Sequence, residues 1–218
     1  MSHALGHGRG QVSAPASRAV GIDELAARHA DAARLCAAGR YQDAIVPLEE
    51  TLAACEATLG RSHPATLTVA GNLGVAYVAG GHRRHGIKLL ETNLAARERI
   101  LGDEDPRTLT ARDALAVAHG LAGNMVDALT LATQVTTQRR RRLGPTHPDT
   151  LTSRMGLALA MVAAGDVEGA VTLLTAAIND ARQAHGPKHP HTIALLECRG
   201  ALMMDPGPGP GPGPTTQG

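Results

Sequence analysis

The chain has 218 residues, a formal net charge of +1, 43% apolar residues and 1% aromatic residues, the last being Tyr41 and Tyr77. The near-zero net charge provides no overall attraction to nucleic acid or to an anionic membrane, and base-stacking platforms and aromatic cages require rings that this chain lacks. No apolar run approaches the ~20 residues of a membrane-spanning helix, so we expect neither nucleic acid nor a membrane among its partners.

The first predicted helix follows an N-terminal arm, residues 1–21, which contains Gly, Ser, Pro and His and is expected to be disordered. Asp23 is the predicted N-cap of a helix that ends just before Gly39, because an aspartate side chain accepts a hydrogen bond from a first-turn amide. Pro47 lies several residues into the second predicted helix, which therefore either starts near Asp43 or is kinked.

A period of 42 residues runs through the rest of the chain. A Leu-Gly or His-Gly dipeptide recurs at this spacing, followed each time by a phrase of the form His/Asp-Pro-x-Thr-Leu/Ile; the dipeptides begin at Leu59, Leu101, Leu143 and His185. A second glycine series has the same period and consists of Gly39, Gly81, Gly123, Gly165 and Gly207. Agreement between independent series at one spacing indicates a tandem repeat.

Each repeat unit is predicted to contain two helices. Apolar residues at three- and four-residue spacing form a stripe in each helix, as Leu73 and Tyr77 do in one helix and Leu90 and Leu94 in the next. The linker proline suits the first turn of a helix, where no amide hydrogen bond is needed, and the second glycine series ends the first helices. The expected N-caps are the residues before the prolines: His63, Asp105, His147 and His189.

Gly86 occupies a small-residue position that alanine holds in the other units, at Ala44, Ala128 and Ala170. If helix propensity alone acts at this position, Gly86→Ala should stabilise the fold by about 0.5–1 kcal/mol. A pair of helices too close to admit a methyl group would reverse the sign of this effect.

The repeat stops after a last helix that is predicted over Ile193 to Met204. An alternating Pro-Gly stretch follows, and residues 205–218 are expected to form a disordered tail. We therefore expect four hairpins plus one terminal helix over residues 22–204, because an end element must cover the apolar face of the last hairpin. Met203 and Met204 are poorly polar for such a cap.

The phrase Leu-Gly-x-x-His-Pro-x-Thr-Leu, together with the glycine turn and the small-residue position, resembles the tetratricopeptide repeat of the kinesin-light-chain type. That type is a helical hairpin with a linker extension, which agrees with the 42-residue period. The resemblance implies an all-α, right-handed solenoid without catalytic activity that binds a protein segment in its concave groove. It also implies that Asn72 lines the groove, whereas Ala114 and Gly156 stand where the family has asparagine.

The groove residues implied by this resemblance repeat at 3–4–3 spacing, on a helix face distinct from the packing stripe. They are largely apolar, which favours a partner's helix over an extended peptide that would need amide side chains for its backbone. The candidate binding residues are Thr68, Asn72, Val75, Val78, Asp113, Val117, Met155, Leu159 and Val162.

Arginines near the ends of the second helices form a candidate basic edge, in a place where the helix dipole favours cations. Such an edge would suit an acidic protein segment, although solvated helix ends are the simpler interpretation. The residues of this candidate basic edge are Arg97, Arg99, Arg139, Arg140, Arg141, Arg142 and Arg182.

No metal, cofactor or catalytic site is expected. The linker histidines lie one layer apart, roughly 18–20 Å, whereas a zinc ion needs ligands ~2 Å from itself; His185, His189 and His191 are closer together but predict only weak metal binding. The chain has no phosphate-binding loop, nucleophile elbow or HExxH helix. Three widely separated cysteines and the lack of a signal-peptide-like stretch predict a cytoplasmic protein.

The sequence alone leaves three functions open. The first is a non-catalytic adaptor or scaffold that binds a protein helix or peptide in the groove. The second is a self-associating module, a homo-oligomer in which another copy fills the groove or covers the last helix. The third is a sensor or regulatory module of a larger signalling system, which rests on analogy.

Overall fold

A computed structural model describes residues 21–204, which form nine α-helices and no strand. The predicted disordered arm, apart from Gly21, and the predicted Pro-Gly tail lie outside the described residues. No helix between residues 21 and 204 is long and apolar enough to cross a membrane. The helices are α1 (Ile22–Ala37), α2 (Tyr41–Leu59), α3 (Pro64–Ala79), α4 (Arg83–Leu101), α5 (Pro106–Ala122), α6 (Met125–Leu143), α7 (Pro148–Ala163), α8 (Val167–His185) and α9 (Pro190–Met204).

The helices are arranged as a curved stack. Each helix packs against the next one in the chain, and each odd-numbered helix also contacts the next odd-numbered helix. The even-numbered helices, all of which lie in the described range, do not contact one another. The odd-numbered helices are therefore closer together, and the stack curves with them on its inner side. The predicted all-α solenoid of four hairpins plus a terminal helix is confirmed.

A glycine with positive φ follows every helix from α1 to α8, with φ between +73° at Gly39 and +93° at Gly81. A residue with a Cβ atom would be strained in this left-handed conformation. After α3, the amide of His82 donates a hydrogen bond of 2.7 Å to the Tyr77 carbonyl, which closes the helix end. The predicted termination of the first helices by glycine is confirmed.

The side chain before each linker proline caps the helix that follows. Asp105 Oδ1 accepts a hydrogen bond from the amide of Arg107 at 2.8 Å. His63, His147 and His189 accept through Nδ1, at 3.2, 3.1 and 3.4 Å. An accepting Nδ1 carries no proton, so these histidines cap only as neutral rings. All four predicted N-caps are confirmed.

The predicted N-cap of α1 is wrong. Gly21 occupies that position, and no side chain caps the helix. Asp23 lies in the first turn instead, where the helix dipole favours an acidic side chain. The second helix begins at Tyr41 and continues through Pro47 without a break.

Aliphatic side chains fill thin layers between the helices. Leu48, Leu90 and Leu174 are all fully buried, although they belong to three different core clusters along the stack. Burial of each such side chain contributes about 1.5–3 kcal/mol. Because every layer is completed by its neighbours, the stack needs no aromatic residue at its centre.

Gly86 is buried where α4 crosses α3. A Cβ atom at this position would lie 2.6 Å from the Gly74 carbonyl oxygen and 2.8 Å from the Val78 amide nitrogen. Both atoms belong to the backbone of α3, so they cannot move aside unless the helix shifts. The expected stabilisation by Gly86→Ala is therefore reversed, because the close approach of the two helices outweighs helix propensity.

We predict that Gly86→Ala lowers the free energy of unfolding by about 1–3 kcal/mol, the usual cost of overpacking. Gly71→Ala is the matched control, because an added Cβ there meets only Asn93 Oδ1, at 3.9 Å; this change should stabilise by about 0.5–1 kcal/mol. Urea denaturation followed by circular dichroism measures both. A Gly86→Ala protein as stable as the original chain would contradict the close crossing.

The His189 cap predicts a loss of stability in acid. Burial and the neighbouring His185 and His191 hold the pKa of His189 below its usual value of 6.5. The stabilisation by the neutral His189 ring is therefore complete above pH 6.5 and is lost as the pH falls through the lowered pKa.

The midpoint temperature of thermal unfolding should therefore decrease when the pH is lowered from about 7.5 to about 5. In His189→Asp, which copies the cap at Asp105, the midpoint should fall less over this range, because a carboxylate still accepts the hydrogen bond. An equal fall in both proteins would show that the cap is not responsible.

Candidate functional site

Two clefts open on the inner face of the stack. The α3–α5 cleft has a volume of about 340 Å³ and is lined by both apolar residues and polar ones, the latter including Thr68, Asn72 and Arg97. The α5–α7 cleft has a volume of about 390 Å³ and is lined mainly by small and aliphatic residues. Volumes of this size accommodate individual side chains of a partner or a small molecule.

Three large aliphatic side chains are exposed in the α5–α7 cleft. Val117 is 55% exposed and Leu159 is 49% exposed, and Leu121 lies beside them. The structure thus brings together two of the predicted groove residues, Val117 and Leu159, from neighbouring first helices. Gly120 and Gly156 leave room between them, because neither carries a side chain.

Val78 does not line the groove. It is 3% exposed and packs in the core with Leu90, Leu94 and Leu115. The groove periodicity fails at this position because Gly86 on α4 leaves space that the Val78 side chain fills.

Other predicted groove residues are only partly available to a partner. Val75 is half-buried against the same core as Val78. Met155 and Val162 are half-buried against the core of the last two hairpins. Thr68 is exposed, but its hydroxyl donates to the Pro64 carbonyl of its own helix at 2.9 Å.

Asp113 lines the groove but is half-buried and forms an ion pair with a buried arginine. Arg139, on α6, donates to Asp113 Oδ2 at 2.5 Å and to Ser153 Oγ at 2.7 Å. The same guanidinium reaches Thr110 Oγ1 at 3.2 Å, so it joins α6 to both α5 and α7. Burial raises the pKa of Asp113, although Arg139 and Ser153 counteract this effect.

Arg97 occupies the same repeat position as Arg139 but is not paired with any carboxylate of residues 21–204. It is 7% exposed, and its Nε donates to Asn93 Oδ1 at 2.8 Å. No ion pair within residues 21–204 involves this guanidinium. Gly71 stands where the next unit has Asp113. Burial and the nearby Arg107 lower the pKa of Arg97, and Asp105 only partly offsets them.

The predicted basic edge is not continuous. Arg97 and Arg139 are buried between helices and therefore do not belong to a solvated ridge. Arg141 and Arg142 are exposed and both contact Glu104 of the preceding linker. The members that are exposed without an ion pair in residues 21–204 are Arg99, Arg140 and Arg182.

Asn72 is held by a contact across the inner face. Its amide nitrogen lies 2.8 Å from Nε2 of His29, on α1. Burial lowers the pKa of His29, which favours the neutral ring that can accept this hydrogen bond. Asn72 is thus engaged within the chain, and Ala114 and Gly156 supply no amide at the equivalent places.

Two further buried arginines, which the sequence analysis did not single out, join neighbouring helices. Arg112 donates to Glu98 at 2.6 Å and to Gln138 at 2.7 Å, which links α5 to α4 and α6. Arg154 donates to Asp180 at 2.6 Å. The two arginines are one repeat apart, as are Gln138 and Asp180. A search for charged residues at the 42-residue period would therefore have found this arrangement.

The clustered histidines lie side by side at the end of α8 and the start of α9. The rings of His185 and His189 are 4.7 Å apart, and those of His189 and His191 are 5.4 Å apart. Between residues 21 and 204, no group of three or more His, Cys, Asp or Glu side chains is placed to hold a metal ion.

Solved structures with a similar fold include tetratricopeptide-like arrays. The crystal structure of a Podosopora anserina putative kinesin light chain with nearly identical repeats is 30% identical, with a TM-score of 0.69 over 83% of this chain and 85% of that one. A variant of that protein, with methionine in place of one glutamine, has the same identity and coverage and a TM-score of 0.70. BtubC (BKLC) from P. vanneervenii is 13% identical, with a TM-score of 0.63 over 89% of this chain and 87% of that one, and it supports the fold alone.

No curated protein matches the chain. The family pattern described as tetratricopeptide repeat matches four consecutive segments, residues 25–65, 66–107, 108–149 and 150–191. These segments follow the 42-residue period and together cover most of the described range. Tetratricopeptide repeats generally mediate protein–protein interaction and act as non-catalytic scaffolds. The chain belongs to the tetratricopeptide repeat family, and its array resembles those of kinesin light chain-like proteins.

Proposed function

We propose that the protein is a non-catalytic adaptor that binds a helical segment of a partner protein on the inner face of its solenoid. The exposed aliphatic pair Val117 and Leu159, at the α5–α7 cleft, carries this proposal. Apolar side chains exposed together on a grooved surface favour burial against a partner. The membership of the chain in a family of interaction modules supports the same function.

A helical ligand suits this groove better than an extended peptide. An extended peptide leaves its backbone amides and carbonyls unsatisfied unless the groove supplies polar partners. Asn72 is already paired with His29, and Ala114 and Gly156 have no polar side chain. A helix satisfies the hydrogen bonds of its own backbone and needs only a surface for its apolar face.

The cytoplasmic location stays a prediction of the sequence.

We predict that Val117→Glu combined with Leu159→Glu reduces partner binding more than tenfold, because two charges would be buried against an apolar surface. The measurement is quantitative pull-down from cell extract with mass-spectrometric comparison against the unmodified chain. Circular dichroism should be unchanged, since both positions are about half exposed.

Val126→Glu is the matched control. Val126 is 79% exposed in the first turn of α6, away from both clefts, so this change should not affect binding. Equal retention of every partner by the double variant and by the control would contradict binding through the groove.

The second candidate function is self-association through α9. Met204 is 89% exposed and Met203 is also exposed, although α9 ends the described array. Among the described residues, no atom lies within 4 Å of a Cβ added at Gly200, whereas the equivalent Gly74 packs closely against Leu90 of the following helix. Analytical ultracentrifugation should show a dimer that dissociates in Met203→Glu/Met204→Glu. A monomer at tens of micromolar would exclude this alternative.

A further inference from the structure

The two clefts of the inner face differ in charge. At the α3–α5 cleft, the charged side chains that act on one another are Arg97 and Arg107, which are positive, and Asp105, which is negative. Asp105 is already engaged by Arg107, through Oδ1 at 3.0 Å and Oδ2 at 3.1 Å. The guanidinium of Arg97 therefore leaves this cleft with an uncompensated positive charge.

At the α5–α7 cleft the balance is reversed. Asp113 and Asp149 are negative, and Arg139 is the positive group that acts on Asp113. Arg139 binds Asp113 Oδ2, whereas Asp113 Oδ1 receives only the Ser153 hydroxyl, at a long 3.4 Å. Asp113 Oδ1 can therefore accept a further hydrogen bond, and it lies at the polar end of an otherwise aliphatic cleft.

Two differences between consecutive repeat units produce this contrast: Asp113 stands in place of Gly71, and Asp149 stands in place of Arg107. Gly71 and Asp113 occupy the same place in consecutive units, and so do Arg97 and Arg139. The third unit supplies its own carboxylate, while the second unit supplies none. A side chain at position 71 would fit, because only Asn93 Oδ1, at 3.9 Å, lies within 4 Å of an added Cβ.

We propose that these oppositely charged clefts fix the direction in which a partner helix lies across the inner face, with an acidic side chain at Arg97 and a basic side chain at Asp113. This inference rests on the proposed function, since it requires a helix bound in the groove. The aliphatic wall formed by Val117 and Leu159 receives the methylene stem of the basic side chain, whose charged end reaches the Asp113 carboxylate.

The spacing of the clefts sets the spacing of the two charges on the ligand. Neighbouring first helices contact each other directly. Packed helices lie about 8–10 Å apart, so this is the separation of neighbouring first helices, and the layer spacing of roughly 18–20 Å expected from the sequence is wrong for them. A helix rises 1.5 Å per residue, and residues about seven apart lie on the same face roughly 10 Å from each other. The ligand should therefore carry its acidic and basic residues two turns apart.

Two synthetic helical peptides test this inference directly. They have the same composition and the same apolar face, but in one a Glu near the N-terminus is followed two turns later by a Lys, and in the other these residues are exchanged. Each carries a nitroxide label at its N-terminus. Paramagnetic broadening is read on the methyl signals of Val75, on α3, and Leu159, on α7.

The label of the Glu-first peptide should broaden Val75 more strongly, and the label of the Lys-first peptide should broaden Leu159 more strongly. Gly71→Asp supplies a carboxylate to Arg97 and should weaken binding of both peptides about tenfold. Gly71→Asn is its neutral control and should have little effect. Asp113→Asn should weaken binding of both charged peptides. A peptide with Gln in place of both the Glu and the Lys should bind the Asp113→Asn protein as tightly as it binds the unmodified chain.

Broadening of the same methyl group by both labels would overturn the inference, as would equal effects of Gly71→Asp and Gly71→Asn. Absence of binding by both charged peptides in the millimolar range would overturn it as well. The proposed function fails separately, through unchanged partner retention by the Val117→Glu/Leu159→Glu protein. A partner lost by that protein but retained by Gly71→Asp would leave the adaptor function standing and exclude the orientation by charge.

Discussion

A left-handed glycine at regular intervals is the constraint on which the whole structure depends. Glycines with positive φ recur every 21 residues from Gly39 to Gly186, one after each of the first eight helices. The glycines after α1, α3, α5 and α7 end helices of 16 or 17 residues, and those after α2, α4, α6 and α8 end helices of 19 residues. Because these two alternating helices and turns repeat, the hairpins stack on one another, and the shorter separation of the first helices bends the stack into a groove. The inner face therefore exists because of these turns.

The core of this array combines aliphatic layers with buried arginines. Arg112, Arg139 and Arg154 each bridge neighbouring helices through hydrogen-bonded partners, and all three are well buried. A buried ion pair contributes little net stability, because desolvation offsets the Coulomb attraction. Loss of only one partner is costly, however, because the other charge stays buried without a counter-charge. These contacts therefore restrict the register in which neighbouring helices can pack. Arg97 departs from the pattern, since the unit that holds it lacks the carboxylate.

Prediction from the sequence succeeded where the cause is local. The N-caps at His63 and Asp105 and the turn at Gly81 follow from backbone chemistry within a few residues, and each is found as expected. The α1 cap failed because Gly21 begins that helix without a side-chain partner. Val78 failed because its burial depends on Gly86, which belongs to another helix.

The amino-acid sequence by itself determined the fold, because a 42-residue period of prolines, glycines and aliphatic stripes specifies each hairpin through local interactions. The resemblance to the tetratricopeptide repeat implied which helices face the groove, and helical periodicity placed the candidate residues on one face of them. Only the tertiary structure decided which arginines are buried and which groove positions are exposed. Those properties arise between layers, where a side chain such as Arg139 meets Asp113 and Ser153 from two other helices. The charge of the groove therefore depends both on the residues that differ between repeats, such as Gly71 and Asp113, and on the stacking that brings their partners together.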